Sequence, residues 1–209
     1  MPRASKQQTQ SHRLAITDAS ARLMRERGID GVSVADLMGA AGLTHGGFYG
    51  HFESKEQLAA QACTHAFAES IARWNTRVAA QPDRNAALLA LAEGYLSTRT
   101  RDNPGASCPT AALVCDVARE PMDAPVRVAF LSGTQQLVDV LASLQHGGDS
   151  EWARRKALAQ FSTLVGAVVL ARATKGAELS DEILRAAREE LAQNLAGGGA
   201  SQPARSPDA

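Results

Sequence analysis

Apolar residues recur along this chain at spacings of three and four, and valine and isoleucine never form strand-like alternating runs. The pattern predicts helices throughout. Leu14, Ile16, Ala19, Leu23 and Met24 mark a first helix, capped by Ser11 and closed at Gly28. Ser33, with Asp36 three residues on, reads as a capping box for a short helix to Ala40. Gly42 breaks the chain, and Thr44 caps another short helix. Two short helices joined by a glycine turn, with a support helix before them, make a helix-turn-helix. Ser54 and Gln57 open a long helix through Leu58, Ala62, Phe67, Ile71, Trp74 and Val78 to about Ala80, a span of roughly 40 Å.

Further helices follow from Asp83 to Arg99, from Cys108-Pro109 to about Glu120, over 126–145, over 151–174, and from a cap at Ser180. Leu184, Ala187, Leu191 and Leu195 share one face of the last. The fold class is therefore all-α: a three-helix head joined by a long helix to a helical body. Residues 1–10 and 197–209 read as disordered tails, 11–57 as the head and 58–196 as the body.

Charge modifies this picture only locally. The net charge of the 209 residues is zero, but residues 1–52 hold six Lys and Arg against four Asp and Glu, so that region is +2 and the rest −2. The sign is the one a DNA-binding head needs. The absence of an 18-residue apolar run argues against a membrane span. A polar stretch after Met1-Pro2-Arg3 argues against secretion, so a cytoplasmic location is expected. Cys63, Cys108 and Cys115 form no metal pattern, and neither a metal nor a cofactor is expected.

The densest stretch runs from Thr44 to Leu58. Gly46, Gly47 and Gly50 each lower helix propensity by about 1 kcal/mol against alanine. Close approach to another molecule's backbone is one use for them. Together with Val32-Ser33-Val34-Ala35-Asp36-Leu37 and Ala41-Gly42-Leu43-Thr44, the string Phe48-Tyr49-x-His51-Phe52-x-Ser54-Lys55-Glu56-x-Leu58 resembles the DNA-binding head of the tetracycline-repressor (TetR) family. The likeness covers residues 11–60. It implies a homodimeric transcriptional repressor that reads a palindromic double-stranded operator. A small-molecule or electrophile inducer, or a covalent modification, would release it.

Carried over by position, the DNA-binding residues are Ser33, Thr44, His45, Gly46, Gly47, Tyr49, His51 and Lys55. His45 is the candidate for a base edge, Tyr49 and His51 for phosphates, and Lys55 for a phosphate ahead of its helix. Phe48 and Phe52 read as core. Relatives carry side chains where this chain has glycines, so backbone approach and DNA shape are expected to supply part of the readout. Phe67, Trp74, Tyr95, Leu113 and Phe130 are candidate ligand-binding residues of the body. Cys108, at a helix N-cap before Pro109, is a candidate redox sensor, and Cys115 lies two turns on. The helices at 151–174 and 180–195 are the expected dimer interface, with Val165, Gly166, Val169, Leu170, Leu184 and Leu191 as its seam. Two rival classes are a helical enzyme, which lacks a visible nucleophile–base pair, and a protein-interaction module with a degenerate head.

Overall fold

The computed structural model describes residues 6–146 and 150–197. Among them every regular element is helical, and nine α-helices form the frame: α1 Lys6–Arg27, α2 Val34–Ala40, α3 Lys55–Ala79, α4 Arg84–Tyr95, α5 Thr98–Asp102, α6 Pro109–Arg119, α7 Pro125–Ser143, α8 Glu151–Ala173 and α9 Glu178–Gly197. Short 3-10 turns occupy His45–Gly50 and Pro104–Ala106.

Local chemistry sets most of these boundaries. Ser33, Ser54, Ser97, Asp83 and Ser150 each accept a backbone N–H with the side chain at a helix start. Pro109 and Pro125 sit in first turns, where their missing N–H costs nothing. Gly28 ends α1 at a φ of 82°, a left-handed conformation open to glycine. The glycine-rich segment His45–Gly50 tightens into a 3-10 turn rather than an α-helix, as its low α propensity favours.

Several expectations shift. Helix α1 starts at Lys6 rather than after Ser11, and Leu14 is exposed rather than packed. The helix expected to reach Arg99 stops at Tyr95, and Ser97 caps the separate α5. Ser180 is no N-cap. It lies inside α9, fully buried, and donates to the Ala171 carbonyl at 2.7 Å, so α9 begins earlier, at Glu178. Leu184 and Leu191 are buried within the protomer and are not free for a seam. Residues 1–5 of the expected N-terminal tail, 147–149 of the loop expected at 146–149, and the tail beyond residue 197 lie outside the described residues, as does the side chain of Leu195.

The long α3 packs against both α1 of the head and α7 of the body. Gly133 of α7 permits that approach: a Cβ there would stand 2.1 Å from the Phe67 ring. Helix α8 is long and apolar enough to cross a membrane by length and composition alone, yet it packs on α7 and α9 and carries Arg154, Arg155 and Lys156 near its start.

Candidate nucleic-acid interface and regulatory cavity

The head's core is Ile16, Leu37, Met38, Phe48, Phe52 and Leu58, all buried. As expected, Phe48 and Phe52 are core, with stacked rings 5.9 Å apart. Their burial turns the rest of the 3-10 turn outward. Thr44, His45, Gly46, Tyr49 and Gly50 are exposed side by side, and residues 44–52 include no acid. No side-chain capping bond holds Thr44, so its hydroxyl is available. A Cβ at Gly46 or Gly50 would meet nothing within 4 Å, so these glycines answer no need inside the protomer.

The other sequence-predicted contacts are more constrained. The Ser33 hydroxyl donates to Asp36 Oδ2 at 2.5 Å and accepts from the Asp36 N–H at 3.1 Å, so the capping box engages it fully. The Ser33 hydroxyl and then its backbone N–H, both donating to the Asp36 carboxylate, hold that carboxyl below the usual carboxylate range. Tyr49 is 76% exposed, its ring meeting only Phe48 edge-on, so it is less packed than expected. Lys55 Nζ lies 4.0 Å from Asp30 Oδ1, whose side chain is almost fully exposed, a contact that holds the ammonium weakly.

His51 is half-buried. Burial, then His12 and Arg13, push its pKa below the ordinary value, so it stays neutral near neutrality. Its Nδ1 has no hydrogen-bond partner among the described residues. Arg13 donates to the His51 carbonyl at 2.7 Å and to Gln61 Oε1 at 2.8 Å, with its guanidinium 4.7 Å from the Phe52 ring centre. Arg13 thus ties α1, the end of the 3-10 turn and α3 together. The sequence pattern gave no sign of this, because the three partners are far apart in the chain.

In the body, a cavity of about 440 Å³ opens between α3, α4 and the 97–108 segment. Of the expected ligand residues, Trp74 and Tyr95 line it, their rings 5.9 Å apart edge-to-face. Phe67, Leu113 and Phe130 do not. Phe67 and Leu113 are buried core, and Phe130 packs edge-on against Phe67. Arg73, Arg77 and Arg99 also line the cavity, and none of its lining residues is acidic.

Cys108 lines the same cavity and is the N-cap of α6, as expected. It is buried, whereas Cys115 is exposed. Cys108, at φ −59° and ψ 127°, lies outside the helical conformation, so the helical phase of α6 does not carry through it, and the two thiols do not share an environment. The Tyr95 hydroxyl lies beside the Cys108 thiol without a hydrogen bond of good geometry, and burial raises its pKa well above the ordinary value. Burial likewise pushes the Cys63 thiol up to about 12.

The residue before Cys108 joins head to body. Arg25 of α1 is 5% exposed and donates from Nη1 to the Ser107 carbonyl at 2.9 Å. Arg172 of α8 donates to Ser107 Oγ at 2.5 Å and to the carbonyls of Thr100 and Ala111 at 2.9 Å each. Arg101 ties the same segment to Asp181 of α9 at 2.6 Å. Nearby, the fold gathers Asp18, His65 and Glu69, with His65 Nε2 3.6 Å from each carboxylate. Sequence spacing hid this trio because Asp18 is on α1 and the others on α3. Arg25 and Arg73 also reach Glu69, at 3.5 and 3.9 Å, which makes it an ion-pair cluster rather than a free ligand set.

Comparison with known proteins agrees with this geometry. The model of bacterial regulatory proteins of the tetR family matches residues 16–62. The HTH-type transcriptional regulator AcrR of Shigella flexneri is 38% identical over 58 residues, covering 28% of this chain and 27% of that protein. The match therefore spans about a quarter of that relative's length. The reduced form of E. coli NemR superposes with a TM-score of 0.74 at 20% identity, covering 87% of this chain and 95% of that one. A TetR regulator from Chloroflexus aurantiacus gives 0.74 at 24% identity, covering 91% and 97%. A TetR-family regulator from Cytophaga hutchinsonii gives 0.72 at 22%, covering 92% and 98%. Residues 16–62 thus match the head of the tetR family of bacterial regulatory proteins, and the rest of the chain shares the all-α fold of these solved regulators.

Proposed function

We propose that this chain is a cytoplasmic, dimeric, DNA-binding repressor that leaves a palindromic operator when a small molecule enters the body cavity or when Cys108 is modified. One observation carries the reading. The head that bears the exposed, acid-free surface from Thr44 to His51 is fastened by Arg25 to the carbonyl of Ser107, which walls the cavity and precedes Cys108. A change at the cavity or the thiol moves Ser107, and Arg25 passes that movement to α1.

In this reading Thr44, His45 and Tyr49 face DNA directly, and the backbone at Gly46 and Gly47 approaches the phosphates. His51 and Lys55 reach phosphates from the flank. Lys55 exchanges its weak contact with Asp30 for that charge. Ser33 serves chiefly as the cap that fixes the support helix. Dimerisation uses the outward stripe of α8, where Leu158 and Leu170 are exposed and Gly166 leaves open space. The seam is thus narrower than the sequence suggested, without Leu184 and Leu191. The likeness to a regulator solved in a reduced form supports a thiol response at Cys108.

Selection of bound duplexes from a random library tests the reading. A palindromic consensus with two protomers per duplex is expected. On that duplex His45→Ala relaxes base preference, and Lys55→Ala weakens all sequences alike. A library that yields no enriched duplex overturns the repressor assignment. Uniform loss of affinity in both variants removes the base-reading role of His45.

A further inference from the structure

The cavity is built for charge. We propose that it binds a small organic acid, with the carboxylate held by Arg77 and Arg99 and the apolar body lying against Trp74. The proposal rests on the reading of the body as the inducer-binding part and specifies the class of ligand.

Three observations converge on it. First, Arg73, Arg77 and Arg99 come to one cavity from α3 and α5, and no acidic side chain lines that cavity. Arg73 lies 3.9 Å from Glu69, while Arg77 and Arg99 have no ion-pair partner among the described residues. Guanidinium groups present a planar fork that matches a carboxylate in two parallel hydrogen bonds.

Second, Gly94 makes room for one of them. A Cβ there would stand 1.6 Å from Arg77 Nη1, so the guanidinium lies directly on the α4 backbone at the cavity wall. A glycine inside a helix costs about 1 kcal/mol against alanine. Here it leaves room for the Arg77 guanidinium, which stays exposed, to lie across α4 at the mouth of the cavity.

Third, the Tyr95 hydroxyl lines the same cavity, is buried, and has no hydrogen-bond partner among the described residues. A buried hydroxyl without a partner is uncommon and calls for an acceptor or donor from outside the chain. A carboxylate oxygen accepts from it. The cavity volume of about 440 Å³ lies in the range of small-molecule sites. Its edge-to-face Trp74 and Tyr95 rings supply an apolar wall beside the charged one.

Fluorescence of Trp74 reads the binding directly. Trp152, the other tryptophan, is first replaced in a Trp152→Phe background. Benzoate, phenylacetate and 4-phenylbutyrate are titrated to about 10 mM, each beside its neutral amide, with inorganic phosphate as a separate arm. At least one acid is expected to saturate the signal about tenfold more tightly than its amide, the difference between charged and neutral hydrogen bonds. Arg77→Gln with Arg99→Gln removes that preference. Gly94→Ala, at the cavity wall, favours the helix but weakens acid binding by displacing Arg77.

No saturation by any acid, equal binding of acid and amide, or tighter binding of phosphate than of every acid overturns the proposal. So does an unchanged acid affinity in the double arginine variant, with circular dichroism showing it folded. The titration uses no DNA. Its failure therefore removes the anion site alone, while the duplex selection decides the repressor reading separately.

Discussion

Arg25→Met tests the link between head and body. The substitution keeps an unbranched apolar stem in a site where the side chain is almost fully buried. It removes the donors to the Ser107 carbonyl at 2.9 Å and to the Ala21 carbonyl one turn back at 2.8 Å, and the longer contact to Glu69 at 3.5 Å. A hydrogen bond from a charged group contributes about 1.5–3 kcal/mol. The half-exposed Glu69 contact adds at most about 1 kcal/mol. Against these stands the cost of burying a guanidinium, visible in its lowered pKa, for which burial is the largest cause.

The net is a loss of about 2 kcal/mol. For a chain of this length each kcal/mol shifts the midpoint by about 2–4 °C, so thermal denaturation followed by circular dichroism is expected to drop by about 4–8 °C. Arg25→Lys, which cannot span both partners, falls between. The same variant blunts the response of DNA binding to peroxide treatment, because Cys108 and α1 no longer share the Ser107 carbonyl. A midpoint within about 1 °C of the parent, or a higher one, refutes the reasoning and shows that the burial cost cancels the bonds.

Other expectations are more local. Gly133→Ala lowers the melting midpoint although it raises helix propensity, because its Cβ meets the buried Phe67 ring at 2.1 Å and overpacking costs about 1–3 kcal/mol. Gly39→Ala, with open space around its Cβ, raises it, and the opposite ordering in calorimetry contradicts the packing of α3 on α7. Iodoacetamide at mild alkaline pH labels exposed Cys115 first, with Cys63, whose thiol is pushed up to about 12, last; mass spectrometry showing Cys63 ahead of Cys115 contradicts the burial assignments. His51 has a depressed folded pKa, so the unfolded chain takes up the proton first. Stability is present above a pH of about 6.5 and is lost as pH falls from there through the folded pKa. His51→Gln flattens that slope in urea titrations, and an unchanged slope assigns it to other groups.

What could be read from the sequence was what short-range chemistry decides. The caps at Ser33, Ser54 and Asp83, the prolines opening α6 and α7, and the glycine ending α1 each act within four residues, and each stands where the pattern put it. Helix α5 escaped because five residues hold too little periodicity to register. Leu184 and Leu191 showed that a face is apolar but not what it meets, since an intramolecular and an intermolecular partner demand the same residues. The Arg25–Ser107 and Arg172–Ser107 bonds span 82 and 65 residues, and no spacing rule reaches that far. In the cavity, Trp74 and Tyr95 were found as aromatics on helices. The arginines beside them were not, because a lone arginine on an exposed helix face reads as a solvated charge.

Binding to a duplex carrying the selected palindrome, measured by fluorescence anisotropy across salt concentrations, tests the central claim most directly. Two heads that each meet about three or four phosphates are expected to give a log–log slope of about −5 to −7. A slope near zero contradicts the account.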